Sequence, residues 1–364
     1  MRVLYIKSND SYLRFFLSYA KFKFSIMKVE DTMIKTVPAY IITGFLGSGK
    51  TTLLQKILTY YKEQNLKPAI VLNEIGETNV EEELFSDENV LEMLNGCICC
   101  SIQGDFTKEL YSFLTSLSKE DTPDILLIEG TGVANPLEIV DALTEPLLIN
   151  HIDLYSVINL LDASKYLEYQ SIFSSSKEVR TVLKSQITTS TYILLNKIDL
   201  INEKEFEKVK KKVEQIKRSD APVVEASYGN VDIRELMERR IVTSRGNKSA
   251  LNLLESSMCG CSGEHTCQEH THNHSFQAIQ IELKRPIDRL QLERWLKQLP
   301  KTLVRGKGIV QLKETVGLFQ FQYSSEQLIL NRLKTKTNVE PCMILIGTDL
   351  NSDAIVKSFE DTFK

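Results

Sequence analysis

Residues Pro38 to Leu54, PAYIITGFLGSGKTTLL, constrain the fold of this chain more than any other stretch. The β-forming run Ala39 to Thr43 leads into Gly44-Phe45-Leu46-Gly47-Ser48-Gly49-Lys50-Thr51. That segment meets the phosphate-loop pattern G-x-x-x-x-G-K-[ST] at every fixed position, and an apolar helical run follows it. The spacing therefore predicts a strand, a glycine loop and a helix. Polyphosphate is a dense anion. Gly44, Gly47 and Gly49 let backbone N–H groups approach it, and the helix beginning near Lys50 adds its positive end. Lys50 is expected to reach the β- and γ-phosphates and Thr51 to ligate Mg²⁺, with Ser48 and Thr52 in the same phosphate-binding set.

Short apolar runs that end in chemistry-bearing residues recur after this loop. Lys67 to Leu72 reads as a buried strand delivering Asn73-Glu74-Ile75-Gly76-Glu77, and Val90 to Leu94 as another delivering Asn95-Gly96-Cys97-Ile98-Cys99-Cys100. Ligands bind beyond the carboxyl ends of strands in open α/β sheets, which makes Glu74 and Glu77 candidates for a site. Alternation puts Cys97 and Cys99 on one face, and a turn can bring Cys100 to the same point. Three thiolates in that spacing suit Zn²⁺, with a carboxylate or water completing four-coordination. Asp124 to Ile128 ends in Glu129-Gly130-Thr131-Gly132, where a nucleotidase holds its Mg²⁺ shell and senses the γ-phosphate. Tyr192 to Leu195 runs into Asn196-Lys197-Ile198-Asp199, an N-K-x-D tetrapeptide. The Asp199 carboxylate can accept from both N1–H and the exocyclic amine of guanine, donors that adenine does not present there.

A chain of 364 residues exceeds one usual core, and a net charge of −4 with a pI near 5.9 leaves no electrostatic footprint for nucleic acid. No stretch is apolar enough to span a bilayer, and the seven cysteines cluster as reduced thiols do, so a cytoplasmic protein is expected. Strands and helices alternate from Val37 to about Ile241, which demands a mostly parallel sheet. The expected organisation is an aromatic and basic N-terminal extension (1–36, a disordered tail or an over-extended start), an α/β phosphate-loop domain (37–242), a linker (243–275) and a small α+β domain (276–364). Within the linker, residues 259–274 carry Cys259, Cys261, His265, Cys267, His270, His272 and His274 without apolar residues, the composition of a flexible metal-collecting tether. In the last domain Trp295 reads as packing, while Arg305-Gly306-Lys307-Gly308 reads either as facing the nucleotide or a partner, or as a solvated loop.

Taken together, Gly44 to Thr52, Asn73 to Glu77, Asn95 to Cys100, Glu129 to Pro136 and Asn196 to Asp199 resemble the CobW-type metallochaperone GTPases, relatives of the urease- and hydrogenase-maturation GTPases. The resemblance covers about Val37 to Lys364. It implies a GTPase whose metal site at Cys97, Cys99 and Cys100 communicates with the nucleotide and passes metal to a client metalloprotein. A nucleotide- or metal-dependent homodimer belongs to the same picture. The histidine-rich linker is similar to that of the zinc-handling branch, although Co²⁺ binds similar ligands. Val80-Glu81 stands where the family often has Ile-Asp, and Asn135 where it often has Asp. In the expected mechanism, nucleotide and Mg²⁺ at Lys50 and Thr51 order the loops at Glu74 and Glu129, which draws the cysteines together; hydrolysis releases both. A cobalt insertase, a metal buffer without catalysis and a small-molecule kinase are the alternatives; the last two leave either N-K-x-D or the cysteines unexplained.

Overall fold

The structure is a computed structural model that describes residues 36–72, 89–92, 103–246, 276–324, 326–333 and 340–363, and residues 37–364 form one compact unit. The N-terminal extension, Glu74, Glu77, Cys97, Cys99, Cys100 and the cysteine- and histidine-rich tract lie outside the described residues.

In chain order the elements are β1 (Val37–Thr43), α1 (Lys50–Glu63), β2 (Pro68–Leu72), β3 (Asn89–Glu92), α2 (Gln103–Ser116), β4 (Ile125–Glu129) and α3 (Pro136–Leu143). Then come β5 (Ile152–Asp162), α4 (Ala163–Gln170), α5 (Lys177–Thr189), β6 (Tyr192–Asn196), α6 (Glu203–Ile216), β7 (Val223–Glu225) and the short α7 (Ile233–Leu236). Among the described residues β1 to β7 make a seven-stranded sheet in the order β3-β2-β4-β1-β5-β6-β7, and every pairing is parallel. Parallel strands are covered on both faces, which is why they read as continuous apolar runs. In β1, Ala39 and Ile41 join the core shared with α2 and α3, while Tyr40 and Ile42 join the core under α1 and α7. Helices α4, α5 and α6 pack on β6 through Tyr166, Leu183, Ile187, Val209 and Val213. The charged α6 is thus amphipathic rather than solvated all round.

The order matters for function. From β1 the chain crosses to β2 on one side, and from β4 it crosses back over β1 to β5 on the other. The carboxyl end of β1 is therefore a topological switch point, the place where such sheets hold ligands.

The second sheet comprises β8 (Ile241–Gly246), β9 (Phe276–Glu282), β10 (Leu303–Gln311), β11 (Leu318–Ser324), β12 (Gln327–Arg332) and β13 (Cys342–Thr348), in the order β12-β11-β10-β13-β9-β8. Its helices α8 (Arg289–Gln298) and α9 (Ser352–Thr362) cover one face, with Trp295 packed on Phe359 and Phe363. Three features differ from the sequence reading. Ile241–Gly246, expected as the end of one domain and the start of a linker, is an edge strand of this second sheet and pairs parallel with β9. Arg305 and Lys307 belong to β10, not to a loop, and Lys307 is 2% exposed. Finally, Ile241, Ala278, Ile344 and Ile346 enter the same apolar cluster as β1, α2 and α3, so the two sheets share a core.

Candidate functional site

The phosphate loop is held by its neighbours on three sides. Gly44 has φ +149°, and a Cβ there would lie 2.3 Å from the Leu160 carbonyl oxygen of β5. Gly49 has φ +105°, and a Cβ there would meet the Asn196 amide nitrogen at 2.6 Å. Neither space tolerates a side chain, and both backbones sit where glycine is favoured. Gly49 is also the N-cap of α1, which has no side-chain cap and no acidic residue in its first turn. By contrast, α6 begins with a complete capping box between Asn202 and Glu205. The positive dipole end of α1 faces the switch point, as an anion site requires.

Lys50 is buried. Its ammonium donates to the Gly44 carbonyl at 3.1 Å and lies 3.8 Å from a Glu129 carboxylate oxygen at the end of β4. The three residues expected to act on the terminal phosphate and its metal, Lys50, Thr51 and Glu129, are thus brought to one place, on α1 and the adjoining strand. Thr52 is exposed on the outer side of α1, where it lines a shallow groove with Gln55, Lys56 and Thr59. Its side chain is not among the groups gathered at the loop. The hydroxyls of Thr43, Ser48 and Thr131 are buried and have no hydrogen-bond partner among the described residues. Unpaired buried hydroxyls are rare, and around a phosphate loop they are acceptors and donors available to nucleotide, water or metal.

The loop after β4 closes over the phosphate loop. Gly130 N–H donates to the Ile42 carbonyl at 2.9 Å, and a Cβ on Gly132 would collide with Leu46 at 2.7 Å. Asn135 caps α3 by accepting from Leu137 N–H, and its amide oxygen also accepts from the Ser185 hydroxyl at 2.6 Å. Gln186, wholly buried on α5, donates to the Gly132 carbonyl at 3.2 Å. Ser185 and Gln186 were not among the expected site residues; they sit in an amphipathic helix with no motif, and only the tertiary contact reveals them.

On the other side Asn196 ties two loops together. Its amide donates to the Ser48 carbonyl at 2.8 Å and accepts from Gly229 N–H at 2.9 Å. Lys197 adopts a left-handed backbone, φ +62°, and pairs with Asp162 at 2.7 Å. Asp162 also caps α4 by accepting from Ser164. Asp199 follows in a single 3₁₀ turn, Ile198–Leu200, and is exposed, with the equally exposed Tyr228 on the neighbouring loop. The arrangement puts an exposed carboxylate beyond the end of β6, two strands from β1 and the phosphate loop.

Of the seven cysteines, Cys342 is described: burial pushes its thiol up to about 12, so it is a protonated core residue rather than a ligand. Among the described residues no group of three His, Cys, Asp or Glu side chains could hold a metal ion, and no helix is long and apolar enough to cross a membrane.

Comparison with known proteins follows the same division. Residues 38–225 match the family described as CobW/HypB/UreG, nucleotide-binding domain, and residues 276–363 match the cobalamin synthesis protein cobW C-terminal domain. The chain is 30% identical over 270 residues to zinc-regulated GTPase metalloprotein activator 1 of Dictyostelium discoideum, covering 65% of this chain and 54% of that protein. It is 29% identical over 332 residues to zinc chaperone YjiA of Escherichia coli (strain K12), covering 88% of this chain and 96% of the relative. A crystal structure of Zn(II)-bound YjiA GTPase from E. coli aligns over 91% of this chain and 100% of that one, with 24% identity and a TM-score of 0.41.

Proposed function

We propose that this chain, which belongs to the CobW/HypB/UreG nucleotide-binding family, hydrolyses GTP and uses the cycle to hold and release Zn²⁺ for a client protein. The observation that carries the reading is the pair of hydrogen bonds made by Asn196, which joins the phosphate loop at Ser48 to the base-side loop at Gly229, with Asp199 exposed beyond it. One side chain thereby sets the distance between a polyphosphate cradle and a guanine-reading carboxylate. ATP offers Asp199 no matching pair of donors.

In this reading the N–H groups at the start of α1 and the Lys50 ammonium bind the phosphates, and Lys50 exchanges its present contacts with Gly44 and Glu129 for phosphate oxygens. The Thr51 hydroxyl would hold Mg²⁺, which supplies neutralisation of charge on the phosphate oxygens when bound. The buried hydroxyls of Thr43, Ser48 and Thr131 fit such a polar occupant. Glu129 and the Gly130–Gly132 loop stand where the terminal phosphate is sensed, and Gln186 holds that loop at the Gly132 carbonyl. Zn²⁺ is the cargo, carried by Cys97, Cys99 and Cys100 with Glu74 or Glu77, and collected more weakly by the 259–274 tract. The names of the relatives, a zinc chaperone and a zinc-regulated GTPase activator, support Zn²⁺ over Co²⁺. The client, a cytoplasmic setting and a nucleotide-dependent homodimer are parts of the same proposal.

GTP turnover measured with and without stoichiometric Zn²⁺, beside an ATP control and metal analysis of the purified protein, tests it. Zinc-sensitive GTP turnover is the expected result. Metal binding without turnover would leave a buffer, and turnover of ATP with an acceptor would leave a kinase.

A further inference from the structure

Helix α3 begins at the end of the Glu129–Pro136 segment and ends against the second sheet. Its last turn meets two cations from β10. Lys307 donates to the Asp141 carbonyl and lies 3.0 Å from a Glu145 carboxylate oxygen, and Arg305 pairs with the Asp141 carboxylate. Asp141 and Lys307 are 3% and 2% exposed. Burial raises the Asp141 carboxyl and lowers the Lys307 ammonium, and each opposes the shift of the other. A long cation reaching the carbonyl end of a helix also meets the negative end of its dipole. The apolar residues Ile139, Val140, Ala142 and Leu143 of the same helix share their core with Ala278, Ile344 and Ile346 of the second sheet. Buried ion pairs seldom add net stability over apolar packing, so one kept here calls for a reason of position or switching.

We propose that Arg305 and Lys307 are positioning residues for GTP hydrolysis, fixing α3 and through it the Glu129–Asn135 loop, so that the second domain forms part of the GTPase. The inference rests on the GTPase reading above. The path is continuous: Lys50 to Glu129, the loop past Gly132, the Asn135 cap, α3, then Asp141 and Glu145 to β10. Any shift of the loop that follows the terminal phosphate is opposed at the far end of α3 by the buried Lys307 and the half-buried Arg305. Cores and ion pairs offer discrete arrangements rather than a continuum, which suits a two-position element. GDP, by contrast, lacks the terminal phosphate that the Glu129–Gly132 loop is proposed to follow.

Hydrogen exchange on the wild-type chain in its apo, GDP and GTPγS states, with turnover and GDP affinity for Lys307→Met and Arg305→Gln, tests the proposal. The expected result is that GTPγS, and not GDP, changes protection in both α3 and residues 303–311. Lys307→Met should lower kcat about tenfold with GDP affinity within twofold, Lys307→Arg should restore part of the loss, and the β10 response to GTPγS should vanish in Lys307→Met. Arg305 is the more exposed of the two, so Arg305→Gln keeps the test open if Lys307→Met does not fold. Unchanged kcat in a folded variant, or a wild type that turns over GTP with no response in 303–311, overturns the inference. A wild type that neither binds nor hydrolyses GTP overturns instead the GTPase reading beneath it.

Discussion

Replacement of Asn196 by alanine is the most direct probe of the site. The side chain is 2% exposed and makes two bonds, to the Ser48 carbonyl at 2.8 Å and from Gly229 N–H at 2.9 Å. Truncation strands both backbone groups where water has little access. Each buried group deprived of its partner costs about 1–3 kcal/mol, so Asn196→Ala is expected to cost about 3 kcal/mol after local relaxation. For a domain of 150–250 residues that is a fall in Tm of about 6–12 °C. Because the same bonds fix the phosphate loop against the base-side loop, GDP affinity should also fall at least about tenfold, equivalent to about 1.4 kcal/mol. Asn196→Asp keeps an acceptor for Gly229 but turns a carboxylate oxygen onto the Ser48 carbonyl, so it should fall at least as far. Calorimetry and titration with a fluorescent GDP analogue measure both effects. An alanine variant that melts within about 2 °C of wild type and binds GDP equally would refute the argument that this side chain sets the distance between the loops.

Gly49→Ala places a Cβ 2.6 Å from the Asn196 amide on a backbone at φ +105°, so nucleotide binding by titration should be lost while the far-ultraviolet circular dichroism is retained. Asp199→Asn removes the acceptor for both guanine donors and should erase the preference for GTP over ATP in a competition assay. Deletion of Cys259 to His274 should lower metal stoichiometry and leave GTP hydrolysis, because residues 247–258 and 275 still span the roughly 17 Å from the end of β8 to the start of β9. Cys97→Ser with Cys99→Ser should abolish tight Zn²⁺ binding but not GTP binding, and should remove the reciprocal tightening of each ligand by the other in paired titrations.

Several elements could be read from local pattern alone. The glycine loop, the strand ending in Glu129 and the N-K-x-D tetrapeptide each carry chemistry and a strand signal within a dozen residues; the structure has the first two on adjoining strands and ties Asn196 to the phosphate loop at Ser48. Thr52 enters the expected phosphate-binding set through the motif alone, and its side chain is exposed on α1. Arg305-Gly306-Lys307-Gly308 left a partner-facing segment and a solvated loop both open, because glycine and charge dominate it. Its partner is the acidic end of α3, some 160 positions earlier, and no local window contains both. Ile241–Gly246 was missed for a similar reason. An edge strand needs only one neighbour, and that neighbour, β9, starts after the cysteine- and histidine-rich tract. The contribution of Gln186 depends on a carbonyl at Gly132, which periodicity in α5 cannot indicate.

The order of strands bounds how a metal held by the cysteines can communicate with nucleotide. Leu72 of β2 is in register with both Glu129 of β4 and Glu92 of β3, so β2, β3 and β4 end at one level. From β3 to β1 is three strand spacings, about 14 Å. Five residues, from Glu92 to Cys97, reach at most about 17 Å when extended. Cys97 can therefore approach the terminal phosphate only if the chain after β3 runs nearly straight toward β1, across the ends of β2 and β4. That route crosses the end of β4, where Glu129 lies 3.8 Å from Lys50. Glu129 is thus the group through which the occupancy of one ligand is expected to bias the other.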